Sequence, residues 1–384
     1  MKQLKICFPT NFSQMKNKLL KTKKMKLASF EIIESLTPIK GKTKIMLAKI
    51  LDYEVVVRKD YFNVGDYCVY VFCDTVLDCT KPYFQTFANK ENKFYVKSTK
   101  MCNCMSEGIA FPLSAFSDIP DPNSLTETEL EELDLGSLIG VSKYEKEASV
   151  TESELVTTQP SFPLMYYKIT DEDNIKSKKK LLLEIVDKEL IVTVKQDGSS
   201  MTLIWDDDIF MVCSRRFSLY RCVGDEVEYD YPSFIVDFVK SCNIRDLFRN
   251  RRVVIQGEFC GPKVNCNKLS LNHHMMFVFT IFDLNEKRQI PRIDSFNFGE
   301  MHFSNQIFEN ENIKPVPFVK KFTFESGMTI NVFNDIVKDV KYINPNTGEI
   351  TPAEGIVVRP VIPFYSSIIH KDFSFKFLNP EYKD

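Results

Sequence analysis

Residues 190–205, LIVTVKQDGSSMTLIW, place one lysine, Lys195, at the end of an apolar run and directly before the turn Gln196-Asp197-Gly198-Ser199. The β-branched residues on either side read as strands, and Asp197-Gly198 as the break between them. A cation set between hydrophobic strands is costly to bury. Such a lysine either snorkels to water or gives up its proton readily enough to serve as a nucleophile.

The same interruption recurs three times downstream: Glu258 in VVIQGEFCGP, Glu354 in TPAEGIVVRP and Lys376 in FSFKFLN. A strand sends alternate side chains to one face, so each of these charges can enter a shared cleft while its neighbours pack a sheet. Two lysines and two glutamates gathered there would bind an anion and a cation together. A lysine nucleophile must be a free amine, and Lys376 as a neighbouring ammonium would disfavour its charged form. The carboxylates make sense as holders of a divalent cation, mostly through its waters. Nucleotidyl or phosphoryl transfer is the reaction class that uses all of these parts.

Around these residues, LIVTV, SMTLIWD and IFMVCSR read as an antiparallel meander with turns at Asp197-Gly198 and Asp206–Asp208. PSFIVDFVKSCNIRDLF places Phe234, Ile235, Phe238, Val239 and Cys242 on one helical face, and MTINVFNDIVKDVKYI does the same with Ile330, Phe333, Ile336, Val337 and Val340. RRVVIQGEF, MMFVFTIFDL, EGIVVRP and FSFKFLN are further strands. Residues 162–384 therefore form an α+β domain with antiparallel sheets. Upstream, FEIIESL, KIMLAKIL, YEVVVRK and VGDYCVYVF alternate like short strands and suit a small closed barrel, an OB-fold, over 28–117. Residues 118–161 are acidic and read as a linker, with one short helix capped by Asn123 or Ser124. Residues 1–27 carry eight lysines and no acid. This basic arm is either a solvated tail or a phosphate contact.

Composition narrows the class. The 384 residues are 44% hydrophobic and 27% charged, with a net charge of −2, which suits a soluble chain of two or more domains without a global pull towards nucleic acid. No apolar run approaches the ~18 residues of a membrane span, and the N-terminus lacks a signal-peptide core. Eleven cysteines without a Cys-x-x-Cys pair, and four histidines, exclude a disulfide scaffold and structural zinc. An intracellular location, cytoplasmic or nuclear, follows as the expectation. His273-His274 and Cys102-Asn103-Cys104 lack ligand geometry for a metal.

Lys195-Gln196-Asp197-Gly198 resembles the K-x-D-G signature of the lysine-dependent nucleotidyltransferases, which include ATP-dependent polynucleotide ligases and mRNA capping enzymes. CSRRF resembles their motif Ia, GEFCGPKVNCN motif III as RNA ligases have it, FTIFDL motif IIIa, AEGIVVRP motif IV and SFKFLN motif V, all in the family's order. KLASFEIIESLTPIKG, YEVVVRKDYFNVGDYCVYV and LIGVSKYE resemble the N-terminal OB domain and linker of the Deinococcus-type RNA ligases, a family also seen in Naegleria.

The resemblance implies an OB barrel followed by an ATP-grasp-like ligase domain. It also implies ATP and Mg²⁺ or Mn²⁺ as cofactors, with nicked RNA duplexes, RNA ends or RNA/DNA hybrid nicks as partners of a monomer. Lys195 would take AMP and, with Glu258, Glu354 and Lys376, carry the catalysis. Arg215 or Arg216 would meet phosphate or the nucleic-acid strand, and Phe282 would stack on adenine. Asp197 and Glu354 would orient a hydrated metal, Glu258 would hold the ribose hydroxyls or the metal's waters, Arg359 and Lys376 would bind phosphate oxygens, and Gly198 would serve the turn. The chain stops eight residues after Lys376. That leaves no room for a C-terminal OB-fold and sets it apart from capping guanylyltransferases and typical DNA ligases. Two departures stand out. Val194 occupies the position where many such ligases place an acid that reads adenine, and motif V has one cation, Lys376, with Lys371 upstream as a substitute. A capping-type guanylyltransferase and a non-catalytic RNA-binding protein are the alternatives.

Overall fold

The computed structural model describes residues 26–102, 104–144, 159–169, 171–294, 297–299 and 305–382. The basic arm up to residue 25 lies outside them.

The N-terminal unit contains β1 (Ala28–Pro38), β2 (Ile45–Ile50), β3 (Tyr53–Arg58), β4 (Tyr67–Val71), β5 (Thr75–Asp78), β6 (Lys93–Val96), the hairpin β7 (Thr99–Met101) and β8 (Cys104–Ser106), β9 (Ile109–Pro112) and β10 (Val141–Lys143). Five strands pair in the order β3-β2-β1-β4-β9, and β10-β5-β6 form a second sheet. A bulge between Ile33 and Ser35 bends β1, so its first half pairs with β4 and its second half with β2. In β3, Tyr53, Val55 and Val57 turn inward while Glu54 and Arg58 face water, the alternation of a half-buried strand.

The acidic stretch is not a plain linker. Helices Glu127–Glu132, capped by Thr126, and Leu135–Ile139, capped by Asp134, lead into β10 on β5. Leu135, Ile139 and Val141 are buried with Val69, Leu77 and Phe84, so the barrel unit runs to about Lys143. Asn123 and Ser124 belong to a preceding 3₁₀ turn rather than capping the helix. The expectation failed because three apolar residues spread over seven positions supply a core edge without any visible periodicity. Residues 145–158 lie outside the described part.

The second unit comprises β11 (Asp173–Asn174), β12 (Lys188–Lys195), β13 (Ser199–Asp207), β14 (Ile209–Cys213), β15 (Ser218–Val223), β16 (Glu226–Asp230), β17 (Arg251–Cys260), β18 (Met275–Asp283), β19 (Arg288–Gln289), β20 (Ile313–Pro315) and β21 (Phe318–Phe324). It continues with β22 (Lys341–Ile343), β23 (Ile350–Pro352), β24 (Gly355–Pro360), β25 (Tyr365–Ser366), β26 (Lys371–Asp372) and β27 (Phe375–Leu378). One sheet runs β11-β27-β24-β12-β21, and the other β16-β15-β14-β13-β17-β18-β19, with β20 parallel to β18.

The expected meander is thereby corrected at its first strand. β13 and β14 pair as expected, but β12 leaves them and lies between β24 and β21 in the other sheet. Its interior, Leu190 to Val194, is buried throughout, as a central strand requires. The turn at Gln196–Gly198 thus passes from one sheet to the other, and the cleft opens between them. Helix Phe234–Ser241 buries Ile235, Val236, Phe238 and Val239 on the second sheet and leaves Phe234 exposed. Helix Asn331–Lys338 buries Phe333 and Val337 on the first. Among the described residues, no helix is long and apolar enough to cross a membrane.

Candidate active site

Strand pairing brings the interrupting charges together. Lys195 ends β12 opposite Gly355, beside Glu354, and Lys376 on β27 pairs with Val357 of the same β24. From the other sheet, β17 sets Glu258 opposite Ser200, just past the turn. The cleft between the sheets measures about 830 Å³, and Lys195, Asp197, Gly198, Arg215, Arg216, Glu258, Glu354, Arg359 and Lys376 all line it. Gly198 is there for close approach: a Cβ at this position would stand 2.4 Å from the Phe259 carbonyl oxygen and 2.6 Å from Cys260 Sγ.

Lys195 Nζ donates to Glu354 Oε1 at 2.6 Å. Burial works against its positive charge, but Glu354, Glu258 and Asp197 outweigh burial and raise its pKa above the ordinary lysine value. These carboxyl groups favour the charged form of Lys195, against the effect expected of Lys376. Lys376 is the group whose pKa falls, through burial first and the Lys195 charge second. Glu258 has its pKa pushed up to about 8, by burial and then by repulsion from Glu354 and Asp197, which Lys195 and Arg215 only partly offset. Glu354 Oε2 is buried and meets no partner.

Asp197 is differently placed. Its Oδ1 accepts from Asn265 Nδ2 at 3.0 Å and its Oδ2 from the Tyr382 hydroxyl, so the protein grips each oxygen once. Asn265 also donates to the Gly198 carbonyl, and the Tyr342 hydroxyl donates to the Lys195 carbonyl.

Phe282 does not reach the cleft. Its ring packs 4.4 Å from that of Tyr167, in a small apolar cluster behind β18. Phe279 lines the cleft, together with Phe217, Phe234 and Phe259. Across β17 and β18, Gln256 pairs with Thr280 but Gly257 with Val278, so Phe279 is the extra residue of a bulge that re-aims its ring. The Arg359 guanidinium lies 5.4 Å over it. Lys371 does not supply the second motif V cation either, because Asp173 takes its ammonium at 3.0 Å and the Asp171 carbonyl accepts from it.

Sequence reasoning missed Asp171 and Glu172. Glu172 accepts from Arg359 at 2.6 Å and from the Ser374 hydroxyl, and Asp171 pairs with Arg215 at 3.2 Å and Lys143 at 3.6 Å. Burial alone would raise both carboxyl pKa values. Arg359 and Lys371 for Glu172, and Lys376 and Arg215 for Asp171, reverse the direction and lower them. The only sequence signal was the acidic run Asp171-Glu172-Asp173, whose last residue opens β11 and pairs parallel to β27 beside motif V. His274 Nε2 lies 2.9 Å from the Pro262 carbonyl, with its ring 4.9 Å from Phe259, a packing role.

A family model described as RNA ligase matches residues 188–378, and a model of an OB-fold domain matches residues 27–113. No curated protein matches the chain. Among solved structures, Naegleria gruberi RNA ligase with pyrophosphate is 20% identical, with a TM-score of 0.70, over 92% of this chain and 97% of that one. A mutant of the same ligase with ATP and Mn gives 20%, 0.70, 92% and 97%. Another, with AMP and Mn, gives 19%, 0.70, 92% and 96%. The likeness spans both units and shows a shared fold. Residues 188–378, which carry the cleft's Lys195, Glu258, Glu354 and Lys376, thus belong to the RNA ligase family, and an OB-fold domain precedes them.

Proposed function

We propose that the protein is an ATP-dependent RNA ligase that joins 3′-hydroxyl and 5′-phosphate ends through a lysyl-AMP adduct. One observation carries this reading: Lys195, Glu258 and Lys376, on three strands in two sheets, and Glu354, just ahead of a fourth, converge on one cleft with Lys195 and Glu354 in contact. In the first step Lys195 Nζ attacks the α-phosphorus of ATP. The ammonium first gives a proton to Glu354, its hydrogen-bond partner, or to water; a P–N bond then forms, the P–O bond to pyrophosphate breaks, and the nitrogen loses a second proton to water. The adenylyl group then passes to an RNA 5′-phosphate oxygen, releasing the lysine. Finally the 3′-hydroxyl attacks that phosphate, and AMP leaves.

Phe279 and Val357, which line the cleft, are the faces available to the adenine ring. Arg359, held by Glu172, and Lys376 are set for phosphate oxygens. Glu258 and the unpartnered Glu354 Oε2 form a hard-oxygen donor set that fits Mg²⁺ or Mn²⁺. No three metal-binding side chains converge among the described residues, so the two glutamates would hold the ion through its waters. Asp197, gripped by Asn265 and Tyr382, shapes the turn, and its remaining lone pairs would be open to the ion's waters. The ion supplies charge that offsets the carboxylates keeping Lys195 protonated, and charge for the phosphates. Arg215, Arg216 and the OB domain would face the nucleic acid, a nicked duplex whose 3′-hydroxyl side is RNA.

Incubation with α-³²P-ATP and Mg²⁺ or Mn²⁺ should label the protein through an acid-labile bond, and Lys195→Ala should abolish the label. Label that survives this substitution, or none with the wild type, overturns the reading. Preferential labelling from GTP would instead establish a guanylyltransferase. Sealing assays on nicks with RNA or DNA on each side define the substrate.

A further inference from the structure

Asp197 is gripped from two sides, and one of the two donors comes from outside the stretch that matches the ligase family. Tyr382 lies beyond Leu378, where that match ends. Its hydroxyl donates to Asp197 Oδ2, two residues from the nucleophile. The segment that delivers it is anchored. Asn379 is buried, with 6% of its surface exposed. Its backbone N–H donates to the Glu354 carbonyl at 2.9 Å, its Oδ1 accepts from Glu381 N at 3.0 Å, and its carbonyl accepts from Tyr382 N at 3.1 Å. The C-terminal segment therefore leaves β27, fastens to the backbone of Glu354 and returns a phenol to the turn after Lys195.

A second tyrosine completes the brace. The Tyr342 hydroxyl donates to the Lys195 carbonyl and accepts from Glu354 N at 3.3 Å. Its ring meets that of Tyr382 edge-on, with centroids 6.3 Å apart at 88°. On the far side, Lys268 Nζ lies 5.5 Å over the Tyr382 ring. The Gln196–Gly198 turn crosses between two sheets, and no ladder of its own fixes its conformation. Side-chain donors must do so, and Tyr382 and Asn265 are the two that hold the Asp197 carboxylate.

We propose that Tyr382 is a positioning residue for the adenylation step: through Asp197 it holds the turn so that the Lys195 amine meets the α-phosphate in line. This inference rests on the ligase reading above. It predicts an effect confined to the step in which Lys195 forms a bond. Tyr382→Phe keeps the ring, its edge contact with Tyr342 and its place under Lys268, and removes only the hydroxyl.

The full-length Tyr382→Phe protein is compared with wild type in three measurements: single-turnover lysyl-AMP formation across ATP concentrations, sealing of a nicked RNA supplied already adenylated at its 5′-phosphate, and the thermal midpoint. The expected result is a maximal adenylation rate lower by about ten- to a hundredfold, the scale that misaligned reacting groups cost. The ATP concentration for half-maximal rate, the sealing of pre-adenylated RNA and the melting temperature should stay near wild type. Unchanged adenylation overturns the proposal, as does an equal loss in both reactions, which would mark a general structural role. A wild-type protein that never takes up AMP removes the ligase reading and this inference together, whereas wild-type labelling with an unaffected Tyr382→Phe removes this inference alone.

Discussion

Glu172 shows how one unforeseen residue can set the state of the site. Its side chain and that of Arg359 are 18% and 16% exposed, and they meet at 2.6 Å. A cation so enclosed depends on its partner, and removing one member of a buried pair costs about 3–5 kcal/mol. Glu172→Gln should therefore lower the unfolding free energy by that order and weaken ATP binding, read by urea melts and by the ATP dependence of adenylation. The sign of the pH effect follows from the lowered pKa. The stabilisation is complete above about 4.5, the ordinary glutamic acid value, and is lost as pH falls through the lower folded value. The variant should lack that segment of acid sensitivity. The charges of the site were legible in the sequence where they broke an apolar strand, as at Lys195, Glu258, Glu354 and Lys376. Glu172 sits in a polar loop, where a charge contradicts nothing, so no local pattern could single it out. The surroundings of Lys195 were hidden for a related reason: the number of carboxyl groups around it is set by two sheets meeting, not by its neighbours in the chain.

At the scale of elements, the apolar strands were readable but their partners were not. LIVTV and SMTLIW announce strands, yet nothing in a two-residue break distinguishes a hairpin from a crossing between sheets. Burial on both faces of β12 places it centrally, and only the space at Gly198 lets the chain pass. The bulge in β18 had the same consequence for motif IIIa. The motif IIIa resemblance gave the stacking role to Phe282, and an extra residue that no alternation announces brings Phe279 to the cleft instead. The two rings separate cleanly by experiment. Phe279→Ala should raise the ATP concentration for half-maximal adenylation by roughly 5- to 150-fold, given about 1–3 kcal/mol for a ring stacked on a base. It should leave the melting temperature nearly unchanged. Phe282→Ala should lose about 2–3 kcal/mol of stability from its packing against Tyr167, with normal ATP dependence in the folded fraction. A reversed pair of phenotypes would return the stacking role to Phe282.

Across the whole molecule, the OB domain is fastened to the strand that carries Lys376. Lys176, with 4% of its surface exposed, donates to both oxygens of Glu107 at 2.8 and 3.0 Å. The same ammonium lies 5.5 Å over Tyr53 of the barrel and 5.1 Å over Phe377 of β27, the residue after Lys376. Nearby, Lys179 reaches Asp52 at 3.1 Å and the Leu51 carbonyl at 3.2 Å, tying the β2–β3 turn to the ligase domain. Exposed pairs of this kind contribute little, but the Lys176–Glu107 pair is sealed from water, so its loss is governed by the charge left behind. Glu107→Ala should destabilise the protein by about 3–5 kcal/mol and slow adenylation, although Glu107 lies outside the cleft, because the orphaned Lys176 must find water beside β27. Replacing both members, Lys176→Met with Glu107→Leu, should recover most of the stability, since an apolar pair of similar volume avoids the desolvation cost. Urea melts measure the first effect and single-turnover labelling the second. If the double variant recovers stability but not adenylation, the ion pair sets the placement of Lys376. If it recovers both, the barrel needs only a packed contact to hold motif V, and charge at the junction is dispensable for the chemistry.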